Sequence, residues 1–351
     1  MIDVGLIGFG LAGRYFHAPV IRAVAGLRLA AILQRNDDSA AQAYPDVRVV
    51  RTLDGLLAID SLRLVVIATP NPSHFSLAKS CLEAGRHVVV DKPFTTTVAE
   101  ALEVLRLAKQ RDRILTVYHN RRFDADFQAL RRVASTAELG RIVRFENTYD
   151  RFRPLPKPGA WREKPAPGSG VLFDLAPHLI DQAFMLFDEP LALTSDIRIE
   201  RPGFATDDAF DLLLDYPGGS RALLRAAMLA ATPRPRFVVF GEKGSYLKRD
   251  FDPLEPALRE GQVPPADASW VLEKEENWGE LTLVNGTMTN TRKVPSFGDW
   301  RDFYSNLRDA ILGHFPPLVT PQQALNVMVA LELALESQQK RATVSWRRIQ
   351  V

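Results

Sequence analysis

Asp174 and His178 stand four residues apart in a run, Asp174 to Phe187, that reads as a helix. That spacing places both side chains on one helical face. An imidazole exchanges protons near neutral pH, and a neighbouring carboxylate can fix its orientation. The same pair could equally be structural. It could also supply two metal ligands, but no third ligand cluster accompanies it in the sequence, which argues against a metal. Lys92 is a further candidate. It follows the apolar run His87–Val90 and precedes Pro93. An ammonium at the end of a buried strand can donate to a reacting oxygen and stabilise negative charge there. The alternative is a surface lysine in a turn.

Gly8-Phe9-Gly10-Leu11-Ala12-Gly13 forms a G-x-G-x-x-G turn directly after the apolar run Val4–Ile7 and before a helical pattern. The flanking strand and helix give the motif its meaning. Gly8 permits the tight turn, Gly10 lets a pyrophosphate approach the backbone, and Gly13 allows close helix–sheet packing. The N–H groups opening the helix then attract phosphate charge. At the end of the second strand, an NAD site would carry an acid for the ribose hydroxyls. This chain has Leu33-Gln34-Arg35-Asn36 there. Arg35 can pair a 2′-phosphate through charge-assisted hydrogen bonds. The expectation is NADP, with NAD possible because Asp37 and Asp38 follow closely.

These groups need a scaffold. Strand-like runs at Val4–Ile7, Leu27–Leu33, Val47–Val50, Leu64–Ala68, His87–Val90 and Ile114–Val117 alternate with helical stretches such as Ser73–Ala84 and Val98–Arg111. Continuous apolar strands separated by helices predict a doubly wound parallel sheet. After about residue 122 the rhythm changes. Phe123–Thr136 reads as one long helix, Arg141–Asp150 as a strand, and Pro154–Pro167 as a proline-rich loop. Strand-like runs follow at Asp196–Arg201, Ala209–Tyr216, Arg221–Leu229, Phe237–Gly241 and Ser245–Lys248. Asp252–Asp267 reads as a loop excursion, and helices close the chain at Trp300–Leu312 and Pro321–Lys340. The predicted fold is α/β: an N-terminal Rossmann domain over 1–122, then an α+β domain over 123–351 with a largely antiparallel open sheet.

The motifs resemble the glucose–fructose oxidoreductase/inositol dehydrogenase/rhizopine-catabolism (Gfo/Idh/MocA) family over nearly the whole chain. The carriers are Phe16-His17-Ala18-Pro19, Ala68-Thr69-Pro70-Asn71 with His74, Asp91-Lys92-Pro93, and Asp174-x-x-x-His178-x-x-Asp181. Tyr118-His119-Asn120-Arg121-Arg122, Tyr149–Arg153 and Trp161–Lys164 are similar to the branch with NADP-dependent scyllo-inositol dehydrogenases. The resemblance implies a cytoplasmic oxidoreductase acting on a polyol, inositol or sugar hydroxyl carbon. An NADPH-dependent reductase of a keto- or anhydro-sugar and a non-catalytic NADP(H)-binding redox sensor are the alternatives. It implies that Thr69, Pro70, Asn71, His74, Lys92, Asn120, Trp161 and Arg162 meet the cofactor. Lys92, His119, Asp174 and His178 would meet substrate, and Arg151 and Arg153 would meet either substrate or a neighbouring subunit. His178 is then the favoured base, with Lys92 polarising the oxygen and Asp174 binding substrate or orienting His178; Lys92 stays open as the base. Asp91 stands where the family has Glu.

Composition narrows the field. Of 351 residues, 44 are basic and 42 acidic, for a net charge of +2, and no basic segment marks a nucleic-acid footprint. Cys81 is the one cysteine, which fits a reducing compartment. No signal peptide or membrane anchor is expected. An antiparallel sheet needs its far face covered, and a symmetric partner is one way to cover it; the family resemblance implies a homodimer or homotetramer, expected through the C-terminal sheet.

Overall fold

The computed structural model describes all residues except 157, 158, 160, 267, 269, 271 and 272. Six short strands form the first sheet: β1 (Ile2–Ile7), β2 (Leu27–Leu33), β3 (Arg48–Val50), β4 (Leu62–Ile67), β5 (His87–Val90) and β6 (Leu115–Val117). All pair in parallel, in the order β3-β2-β1-β4-β5-β6. Their central residues are buried apolar side chains, as a sheet with helices on both faces requires. The order reverses between β1 and β4. The carboxyl ends of the strands there open a crevice, the place where such sheets take ligands.

The second sheet has nine strands: β7 (Ile142–Asp150), β8 (Ala192–Arg198), β9 (Ala209–Asp215), β10 (Arg221–Ala227), β11 (Phe237–Gly241), β12 (Gly244–Lys248), β13 (Gly279–Asn285), β14 (Met288–Val294) and β15 (Val344–Ser345). Their order is β14-β13-β12-β11-β7-β10-β9-β8-β15. Only β7 and β10 pair in parallel among these, so the sheet is largely antiparallel.

Several elements depart from the sequence reading. Phe123–Thr136 is not one helix. Residues 120–123 form a 3₁₀ turn and the helix runs Ala125–Ser135. Asp124 breaks them apart: its backbone is extended, and its carboxylate accepts from Arg121 and from the Trp300 indole. The strand expected at Asp196–Arg201 runs Ala192–Arg198 instead. The β13–β14 hairpin was not anticipated, because most of β14 is polar and exposed; its two-residue turn, Gly286-Thr287, with glycine first at φ +61°, was the available signal. Among the described residues, the proline-rich loop Pro154–Pro167 includes a short 3₁₀ turn, Trp161–Glu163, and a short helix, Leu254–Arg259, interrupts the Asp252–Asp267 excursion. Parts of both segments lie outside the described residues.

Among the described residues, one helix, Gly170–Phe187, has the length and apolarity to cross a bilayer. Most of it is buried, packed against β10 and the helix Pro321–Lys340. That last helix begins with a capping box between Thr320 and Gln323, satisfying two otherwise unpaired N–H groups. The helix Arg301–Ile311 packs back on the first sheet's layer: Trp300, Phe303, Tyr304 and Leu307 share an apolar cluster with Ile2, Val4 and Leu6.

Arg122 ties these layers together. Its guanidinium donates to both carboxylate oxygens of Asp181, at 2.7 and 2.5 Å. It also donates to the Leu318 carbonyl and the Gln323 side chain. Both members of the pair are buried. Removing one partner leaves a charge without compensation, which costs about 3–5 kcal/mol. Arg122→Met is expected to lower stability by that order, and Arg122→Lys to restore little of it because a single ammonium cannot span the fork. Urea unfolding monitored by circular dichroism checks both. A wild-type midpoint for either variant contradicts this account.

Candidate active site

The glycine turn is shaped as its spacing implies. Gly8 has φ +97°, and a Cβ there would lie 2.6 Å from the Ala68 carbonyl oxygen. A Cβ on Gly13 would lie 2.0 Å from the Gly8 carbonyl oxygen. Gly10 differs: a Cβ there would meet nothing within 4 Å. Protein packing therefore requires two of the glycines and leaves open space beside the third. Gly10, Leu11 and Ala12 border a cleft of about 860 Å³. That opening fits a dinucleotide whose pyrophosphate crosses the turn.

The other strand ends complete the cleft. Thr69 and Pro70 follow β4, Lys92 follows β5, and Asn120 follows β6; all four border it. Trp161, Arg162, Arg151 and Arg153 face it from the second half of the chain. Three expected contacts sit behind the wall instead. Asn71 is buried and donates to the Gly168 carbonyl at 2.7 Å. The ring nitrogens of His74 lie 2.9 Å from the Pro93 carbonyl and 2.8 Å from the Thr69 carbonyl, so its N–H donates to main chain in either tautomer. These two residues brace the loops. His119 is 1% exposed and does not border the cleft, and neither of its ring nitrogens has a partner. Burial, foremost, holds its pKa down to about 4.

Arg35 lies at the end of β2, exposed, outside the cleft lining. It makes no hydrogen bond or ion pair among the described residues. The two acids after it are engaged: Asp37 accepts from Gln34 and from the Ser39 N–H, and Asp38 pairs with Arg51.

The candidate reacting groups sit on the helix Gly170–Phe187 and the β5 edge. The helix starts four residues earlier than the apolar pattern suggested, because Asp207 holds its first turn from a distance. The Asp207 carbonyl accepts from Val171 N–H at 2.9 Å and its carboxylate from Leu172 N–H at 2.6 Å. Gly170, at φ +86°, is the residue that lets Asp207 approach. Burial raises the Asp207 pKa to about 6. Nothing in the local sequence pairs Asp207 with residue 171, so this contact was missed.

Lys92 Nζ donates to the Asp174 carbonyl at 2.5 Å and to its carboxylate at 2.8 Å. Arg162 Nε approaches the same carboxylate oxygen at 3.2 Å, without hydrogen-bond alignment. Burial opposes charge on Asp174, but Lys92, Arg162 and Arg151 outweigh it and hold its pKa far below the usual carboxylate range. Asp174 therefore partners Lys92. It makes no hydrogen bond to His178, contrary to one of the two roles considered for it. His178 borders the cleft, and its Nδ1 is buried without a partner. Burial, then Lys92, Arg121 and His119, push its pKa well below 6.5, so its imidazole is neutral at pH 7. Behind Lys92, Asp91 accepts the Lys92 main-chain N–H at 2.8 Å. The Asp91 approach to His17, at 3.9 Å, is no ion pair at neutral pH, because burial lowers the His17 pKa to about 4.

Comparison with known proteins bears on this arrangement. Residues 2–119 match the oxidoreductase family with an NAD-binding Rossmann fold, and residues 127–247 match the GFO/IDH/MocA C-terminal domain. The Escherichia coli K12 protein named uncharacterized oxidoreductase YdgJ is 42% identical over 98% of both chains. The chain belongs to the Gfo/Idh/MocA family. A second Gfo/Idh/MocA relative, the scyllo-inositol 2-dehydrogenase (NADP(+)) IolW of Bacillus subtilis, is 33% identical over 98% of this chain and 95% of its own. The crystal structure of the Bacillus subtilis oxidoreductase yvaA superposes with a TM-score of 0.94 at 33% identity, covering 99% of this chain and 98% of that one. As a Gfo/Idh/MocA member the protein is an NAD(P)-dependent oxidoreductase.

The glycines separate packing from binding. Gly13→Ala is expected to lower the melting temperature of the free protein sharply, since its methyl collides with main chain. Gly10→Ala is expected to change free-protein stability by under about 0.5 kcal/mol yet weaken nucleotide binding at least tenfold. Thermal denaturation and calorimetric titration with NADP(H) test the pair. A Gly10→Ala protein that binds normally contradicts the assignment of the turn.

Proposed function

We propose that the protein is an NADP-preferring dehydrogenase of a polyol, inositol or sugar hydroxyl carbon. The observation that carries this reading is the convergence of Lys92, Asp174 and His178 on the cleft that the glycine turn borders. When bound, the nicotinamide accepts the hydride released from the carbinol carbon. The residues handle the proton and the charge. The substrate hydroxyl gives its proton to His178 at Nε2, the ring nitrogen left to the cleft once Nδ1 is buried. A neutral imidazole is the form that can accept it. Lys92 Nζ donates to the same oxygen and stabilises the charge that develops as the carbonyl forms. Asp174 holds Lys92 in place. The short turn Trp161–Glu163, with Arg162 stacked on the Trp161 ring at 4.8 Å, shields the reacting carbon from water. The same groups run in reverse for a keto-sugar, with His178 returning the proton.

Arg35 supports NADP over NAD. It is an unpaired guanidinium at the adenosine end, and the neighbouring acids are already engaged. The likeness to IolW, whose name specifies NADP and scyllo-inositol, points the same way. Charge-assisted bonds of this kind contribute about 1.5–3 kcal/mol. Arg35→Ala should therefore cut the ratio of kcat/KM with NADP to that with NAD by roughly 10- to 100-fold. Equal efficiency of the wild type with both cofactors overturns the preference.

Lys92→Ala tests the chemistry. Turnover is expected to fall by about 10²–10³, while saturating NADP(H) still raises the melting temperature. A redox sensor would keep the shift and have no turnover to lose. Loss of the shift along with activity would make Lys92 chiefly a cofactor anchor.

A further inference from the structure

The cleft holds more positive charge than its own acids neutralise. Among the described residues it is bordered by seven basic side chains and five acidic ones. Lys92 and Arg162 share Asp174. Arg201 pairs with Asp208 and Glu163. Arg121 pairs with Asp124 and Glu255, and Arg259 with Glu255. Arg151 and Arg153 are left. Arg151 lies over the Tyr149 ring, 4.7 Å from its centre, and donates to the Tyr149 hydroxyl at 3.3 Å. It meets no carboxylate within ion-pair distance among the described residues. The Arg153 side chain has neither a hydrogen bond nor an ion pair among them.

Their backbone is fixed. Beyond the end of β7, Arg151 N–H donates to the Ala227 carbonyl at 2.9 Å and Arg153 N–H to the Met228 carbonyl at 2.7 Å. Phe152 between them bridges to Leu229 and is 59% exposed. In an extended segment alternate residues share a side, so both guanidinium groups border the cleft while Phe152 turns away. The ring of Tyr149 holds Arg151 in place, and the Tyr149 hydroxyl also accepts from Arg121 at 3.2 Å.

In the open cleft Arg151 is half-buried and Arg153 exposed, and an arginine does not lose its proton when a bound molecule covers it. Hydroxyl groups of a neutral polyol accept its hydrogen bonds but leave its charge uncompensated when the cleft fills. A carboxylate or phosphate accepts the same bonds bidentately and neutralises the charge. The dinucleotide does not meet this need, since its phosphates belong to the glycine turn and its adenosine end to Arg35, both on the first sheet. We propose that the substrate carries an anionic group, carboxylate or phosphate, that Arg151 and Arg153 bind, so that the enzyme acts on a sugar acid or a polyol or sugar phosphate. This rests on the dehydrogenase reading above and narrows its substrate class.

The test uses the full chain with NADP and NADPH on matched sets: glucose, glucuronate and glucose 6-phosphate, and myo-inositol with its monophosphate. Each set is run as oxidation and, with the corresponding ketones, as reduction. The expected result is a kcat/KM at least tenfold higher for an anionic member than for its neutral counterpart. Which anion gains more separates carboxylate from phosphate. In Arg151→Met and Arg153→Met, that ratio should fall toward one, carried by KM, while the thermal shift with NADP(H) persists. Arg153→Lys, which keeps the charge but not the fork, should retain part of it. Neutral members turned over as well as or better than both anions overturn the inference and leave the dehydrogenase reading standing. Absence of turnover on every set with either cofactor overturns both.

Discussion

The contact between Lys92 and Asp174 organises the rest of the site. Lys92 comes from the carboxyl edge of the first sheet, and Asp174 from the first turns of a helix packed on the second. One ammonium, donating to the carbonyl and the carboxylate of a single residue, joins the two sides across the cleft. It also bears on two protonation states within one small volume. Asp174 is held as an anion by its cations, Lys92 foremost, and His178 is kept neutral by burial and by the positive charge nearby. Hydroxyl oxidation needs such a division: a donor for the oxygen, a counterion for the donor, and an uncharged base.

The scaffold supplies those positions by simple means. Parallel strands end together, so the residues after β1, β4, β5 and β6 meet at one edge although they are far apart in sequence. The buried Arg122–Asp181 pair and the Asp207 contacts then fix the helix that carries Asp174 and His178. Asp181 thus acts three residues beyond His178 as an anchor for the helix, outside the reacting groups.

Much of this was legible in the residues. The glycine turn, the parallel alternation of the first 122 residues, and the Asp174/His178 face follow from local spacing, and the structure shows each of them. Lys92 at a strand end could be placed at the ligand edge from topology alone. What was not legible depends on distant partners. Asn71 and His74 lie beside the cleft-lining Thr69 and Pro70 in sequence, yet their side chains face main-chain carbonyls behind the wall. Asp174 could have turned to His178 on its own helix or to a lysine 82 residues away, and helical spacing does not choose between them. The polar, exposed β14 lacks the apolar alternation by which strands are recognised.

The most direct measurement is a crystal structure of the protein with NADP and a turned-over substrate, with the distances from Lys92 Nζ and His178 Nε2 to the substrate oxygens as the quantities read. Both nitrogens should lie within about 2.6–3.2 Å of one and the same oxygen, with the carbon bearing it facing the nicotinamide. Two nitrogens contacting different substrate groups, or a carbon turned away from the ring, would contradict the account.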